Sequence, residues 1–294
     1  MVSPELQSLR AILPAAALLL LSTAPALAQS TPDAPPAGTA NGFDADTVTA
    51  GVAAAYLTDY EGSDDYSVIP APAAIGSISG YAFQYLGNRL SVDLIRNPAG
   101  PTWDLQAGPI GVVNFNRSNT KSIDDRRVKA LGEVNTAYEI GGFVGVGKTG
   151  VITSPYDRLA ASVSYRYDVG NAHESGIWQP TVSYFTPLSQ KAAVGIFVSG
   201  ERAAGKYART YFSVSPQQSL ASGLPVYNAR GGWKNWSLGV AGTYALSGDL
   251  LHGWKAVGGV NYRRLLNDYA DSPLTSIAGS RTQWLAALGV AYTF

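Results

Sequence analysis

In the stretch LAASVSYRYDV, Leu159, Ala161, Val163, Tyr165 and Tyr167 fall on one side of an extended chain, and Ala160, Ser162, Ser164, Arg166 and Asp168 on the other. Side chains alternate faces only in a strand, so one face is oily and the other wet. The same split recurs in TVTAGVAAAYL (47 to 57), WSLGVAGTYAL (236 to 246) and QWLAALGVAYTF (283 to 294, with Leu285 as the one exception). No segment keeps a helical stripe for three turns. The pattern commits the chain to an all-β fold.

Alternation also suits a soluble sandwich, and composition separates the two. Charged residues are 14% of the 294, against about a quarter in an ordinary soluble domain. The aromatics, among them Trp103, Trp178, Trp236, Trp254 and Trp284, sit near strand ends, as rings do at the two interfaces of a membrane barrel about 25 Å apart. The other face is crowded with Gly, Ala, Ser and Thr, which suit a narrow lumen. These features favour a closed antiparallel transmembrane barrel. Lys plus Arg equals Asp plus Glu at 21 each, which gives no basis for a nucleic-acid partner, and the absence of Cys excludes disulfides and thiolate sites.

Residues 1–28 read as a cleaved signal peptide: Arg10 precedes an apolar run, and Ala26-Leu27-Ala28 supplies a small-x-small cleavage site. Residues 29–45, rich in Pro, Ala and Thr, read as a flexible periplasmic lead-in. The barrel occupies 46–294. Short connections near 77–80, 148–155, 187–190 and 247–253 mark the periplasmic end, and long polar ones at 59–65, 116–133, 169–175, 205–233 and 267–281 mark the outside. An even strand number is needed for both ends to face the periplasm. Breaking YAFQYLGNRLSVDLI at Gly87-Asn88, a two-residue hairpin, gives twelve strands; ten with a distorted corner is the alternative.

The chain stops on an aromatic in mid-strand. A last strand must pair with the first, because an open backbone edge in lipid costs several kcal/mol per group. Tyr292 and Phe294 then serve as an interfacial anchor, and the ending resembles the carboxy-terminal signal read by the barrel assembly machinery.

Three motifs, YEGSDDYSVIPAP (60–72), TYFSVSPQQSLASGLPVYNA (210–229) and YRRLLNDYADSPLT (262–275), resemble those of the MipA/OmpV family of outer-membrane proteins, the MltA-interacting proteins. The resemblance implies the cell outer membrane of a Gram-negative bacterium. It also implies a scaffold between a lytic transglycosylase and a peptidoglycan synthase, with other members acting as surface antigens or adhesins. A small diffusion pore is the alternative reading.

The sequence offers no enzyme. His173 beside Ser175 in NAHES is the sole plausible catalytic base, and it reads more simply as an exposed loop residue; no GxSxG occurs. No cofactor or metal site is expected, since Glu61, Asp64 and Asp65, and Asp268 and Asp271, match no calcium-loop spacing. With Tyr60 and Tyr211 these acids are the candidate external interaction residues, facing partners such as lipid and lipopolysaccharide. Arg166, Asp168, Glu139, Asp104, Lys255 and Arg263 point into the lumen, where opposed charges would plug it. Glu201 and Arg202 read as an exposed rim pair.

Overall fold

The computed structural model describes residues 46–96 and 103–294. The signal peptide and lead-in lie outside the described residues. Twelve strands form one closed antiparallel barrel: β1 (Thr47–Thr58), β2 (Tyr66–Ile78), β3 (Tyr81–Leu86), β4 (Arg89–Val92), β5 (Trp103–Asn114), β6 (Ala137–Thr149), β7 (Arg158–Asp168), β8 (Gly176–Pro187), β9 (Ala192–Ala203), β10 (Gly232–Ala245), β11 (Gly253–Leu265) and β12 (Thr282–Thr293). Every strand pairs with its sequence neighbour, and β12 returns to β1 with Val290 opposite Val52 and Tyr292 opposite Ala50. The seam is fastened at its end by the Phe294 N–H donating to the Val48 carbonyl at 2.9 Å. The expected pairing of last strand with first is met, and so is the break at Gly87-Asn88, where Gly87 takes φ +59°.

The faces are those the alternation dictates. Val52, Tyr56, Trp236, Leu238, Val240, Trp284, Leu288, Val290 and Phe294 are exposed on the outer wall. Rings gather in two belts. Tyr56 stacks on Tyr66 at 4.7 Å, and Trp236, Tyr262 and Trp284 follow one another at 5.3 and 5.1 Å near the long-loop end; Trp254, Tyr292 and Phe294 do so at 5.3 and 4.9 Å near the other. Amphipathic rings settle at the two lipid–water boundaries, which orients the barrel in the bilayer.

The lumen is uneven. On β6 to β8 it is filled by buried polar side chains such as Ser164, Gln179, Thr181 and Ser183. On β9 to β2 it is walled by small residues, with Gly195, Gly259, Ala287 and Ala53 half-buried and Ala241 exposed. Phe197 lies across this wall over Gly239, where any Cβ would overlap its ring.

The long connections do not trail into solvent. They carry α1 (Arg126–Lys129), α2 (Gly205–Phe212), α3 (Pro216–Ser222), α4 (Asn267–Asp271) and α5 (Pro273–Ser276), helices of about one or two turns. Such short helices are not stable alone and need a packed face. That face is a pair of apolar clusters: Tyr207, Ala208, Tyr211, Phe212, Tyr269 and Ala270 over Ile177 and Leu265, and Tyr60, Ile123, Val128, Leu131, Val214, Leu224 and Leu274 beside them. The five external connections thus form a cap with its own core.

Candidate functional site

The place where cap meets lumen holds the densest chemistry. Strand alternation turns Glu139 of β6, Arg166 of β7, Glu201 of β9 and Arg263 of β11 inward, and Lys234 joins them from β10 at the register shift that falls between Trp233 and Asn235. Arg166 Nε lies 2.5 Å from Glu139, and its Nη2 pairs with Glu201. Lys234 Nζ lies 2.6 Å from Glu201 and 2.7 Å from Glu61, which Arg263 approaches at 3.8 Å. Tyr207 on α2 donates its hydroxyl to Glu61 at 2.7 Å and accepts from Lys234 at 3.2 Å. Three cations and three carboxylates therefore alternate across the barrel. Each charge removed from water has an opposite charge within reach, which is the condition under which buried charges are tolerated.

This arrangement corrects three sequence expectations. Glu201 is 1% exposed, so it belongs to the lumen network; only Arg202, its neighbour on the outward face, is exposed. His173 is also buried, its Nδ1 2.9 Å from Ser175 Oγ and its Nε2 3.3 Å from Glu139. Serine, histidine and glutamate thus stand in a row, yet Ser175 Oγ is shut in under α2, where it accepts the Tyr207 N–H at 3.1 Å. The row fixes α2 to the barrel and presents no reachable nucleophile. Third, Tyr60, Glu61 and Tyr211 are enclosed and hold the cap together: Tyr60 donates its hydroxyl to the carbonyl of Ala278 at 2.5 Å, and the Tyr211 carbonyl accepts from buried Arg117 at 3.1 Å. Burial pulls the Arg117 guanidinium down to about 10.

The remaining candidates lie farther out. Asp64 and Asp271 are exposed, Asp65 and Asp268 half-buried, and Asp268 pairs with Arg230 at 3.1 Å. Asp65 comes within 4.8 Å of Asp59 and Asp124. Of the six expected lumen charges all are buried; Asp104 pairs with Arg158, a partner the sequence reading passed over, and Asp168 accepts the N–H groups of Gly170, Ala172, His173 and Glu174. Lys255 turns to the Leu250 carbonyl and the Thr293 hydroxyl. On the outer surface a polar hollow of about 340 Å³ lies between the 171–174 turn and Lys206, Arg209 and Thr210 of α2.

The model of the MltA-interacting protein MipA family matches residues 50–294, the whole barrel after its first few residues. The chain belongs to the MipA family. Its place is therefore the outer membrane, in keeping with the two aromatic belts. No curated protein matches the chain. Solved structures of similar arrangement include an outer membrane channel from Pseudomonas putida F1, with 12% identity over 93% of this chain and 100% of that one at a TM-score of 0.41. The NanC porin has 8% identity over 84% of this chain and 99% of that one at 0.44. OprD from Pseudomonas aeruginosa has 9% identity over 86% of this chain and 66% of that one at 0.36. In this MipA-family chain the barrel is narrowed by side chains and roofed by its own loops.

Proposed function

We propose that the protein is a non-enzymatic scaffold of the outer membrane that holds a cell-wall-cleaving enzyme of the lytic transglycosylase class, the interaction for which the family is named. The observation that carries this reading is the ion-paired belt from Glu139 to Glu61 beneath the cap, which occupies the outer half of the lumen where a diffusion pore needs water. A rigid, closed barrel suits an anchor. A peptidoglycan synthase is the second partner of this reading, docked with the first at the periplasmic rim and the 29–45 segment. On the outside, Asp64 and Asp271 and the hollow beside Lys206 and Arg209 face the sugars and phosphates of lipopolysaccharide. Tyr292 and Phe294 are the residues offered to the barrel assembly machinery.

The test is crosslinking in intact cells followed by purification of the barrel. Recovery of a lytic transglycosylase with the full chain, reduced when 29–45 is deleted, supports the scaffold. Absence of any cell-wall enzyme from the crosslinked material contradicts it.

A further inference from the structure

The wall of the barrel is not of even height. β3 has 6 residues and β4 has 4, whereas β2 has 13 and β5 has 12. β2 therefore pairs with β3 only from Ala73 to Ile78, and the hairpin ends where Gly87 N–H reaches the Pro72 carbonyl and Val113 N–H reaches the Asn88 carbonyl, both at 2.9 Å. Above that line no strand stands between β2 and β5 among the described residues. Since Pro72 turns its carbonyl to the β3 side, Pro70 and Val68, two and four residues on, face the same side. Both prolines thus put their missing N–H where no strand accepts it, and proline is tolerated in a strand at such an edge or at a bulge. Over the top, the Glu61 N–H bonded to Asn116 Oδ1 at 3.0 Å and the Asp124 N–H bonded to Asp59 at 3.2 Å join the two sides.

The gap is a window bordered by β2 on one side, by the hairpin below, and by the 115–124 connection that follows β5 on the other side and above; it lies below the outer aromatic belt, because Tyr66 at its upper edge stacks on Tyr56 and accepts the Trp284 N–H at 3.1 Å. From Tyr66 to Pro72 is about 20 Å of strand at ~3.3 Å per residue. Val68, on its outer face, is 66% exposed. Ile69 and Ala71, on its inner face, are half-buried and continue the small-residue wall of the lumen.

We propose that this window admits the acyl chain of an outer-leaflet lipid, which lies against Ile69 and Ala71 inside the barrel. An opening in the hydrocarbon band is filled by hydrocarbon or by protein. The prolines remove the donors another strand needs, and Ile69 and Ala71 give the β2 edge an apolar inner side, while Arg89 at the lower edge is tied across the lumen to Gln179 at 2.9 Å. Lipid enters sideways here while the charged belt and cap keep water and ions from crossing lengthwise.

The chain has no Cys, so one introduced thiol labels one site. Ile69→Cys and Ala71→Cys, each carrying a small fluorophore, are reconstituted in vesicles of phosphatidylcholine with or without bromine on the acyl chains. Val240→Cys on the lipid face and Ala241→Cys in the lumen are the references, and heat-dependent gel mobility verifies folding of each variant. The expected result is loss of fluorescence in brominated vesicles at Ile69 or Ala71 close to that at Val240 and well beyond that at Ala241. Quenching at both positions no greater than at Ala241 overturns the proposal.

Discussion

Glu201 sits between Arg166 and Lys234, and its removal leaves two buried cations short of a counter-charge. Breaking such a set from one side costs about 3–5 kcal/mol. Glu201→Ala should lower unfolding stability by that amount in a urea titration of the reconstituted barrel, whereas Arg202→Ala, exposed next door, should fall within about 0.5 kcal/mol of the parent. Asp157, in the periplasmic turn before β7, offers a pH-dependent case. Burial works against its charge, but the N–H groups of Thr153, Val151 and Ile152 and the Tyr184 hydroxyl outweigh it and hold the carboxyl well below the usual range. A carboxyl depressed in the folded state stabilises fully above its unfolded pKa of ~3.9 and loses that contribution as pH falls toward the folded one. The melting difference between the parent and Asp157→Asn should be constant from pH 7 to about 5 and shrink in stronger acid; a difference that grows on acidification would reverse the assignment.

At the scale of elements, strands and cap differ in how far the sequence reveals them. Apart from the short β3 and β4, the strands are period-two patterns readable over ten or so residues, so β7 and β12 are plain from LAASVSYRYDV and LAALGVAYTF alone. The Gly87-Asn88 hairpin follows from parity and turn chemistry together. The cap was not legible, because α2 has 8 residues and its apolar face of Tyr207, Ala208, Tyr211 and Phe212 is satisfied largely by residues tens of positions away, Ile177, Leu265, Tyr269 and Ala270. The only local signal is that Tyr207 and Tyr211 share a helical face at i, i+4, too short a run to outweigh the polar residues around it. Polar loop residues read as solvated by default, which places Glu61, His173 and Glu201 outside on sequence alone, whereas all three are buried. Phe212→Ala should cost about 3–5 kcal/mol if the cap core is continuous, with new protease cleavage within 205–231. Cap cleavage unchanged from the parent would mean that the loops pack independently of this ring.

For the molecule as a whole, a polypeptide with few charges, small lumen residues and an aromatic last position becomes a closed barrel, fastened from Phe294 to Val48 and stoppered on its outer side. The belt from Glu139 to Glu61 and the cap above it separate this barrel from a passive pore more decisively than strand number does. Planar-bilayer recording of the purified full-length protein tests that claim most directly. The account predicts a flat trace at moderate voltage for the parent and discrete current steps once residues 205–231 are replaced by a short turn; stable steps from the parent itself would contradict it.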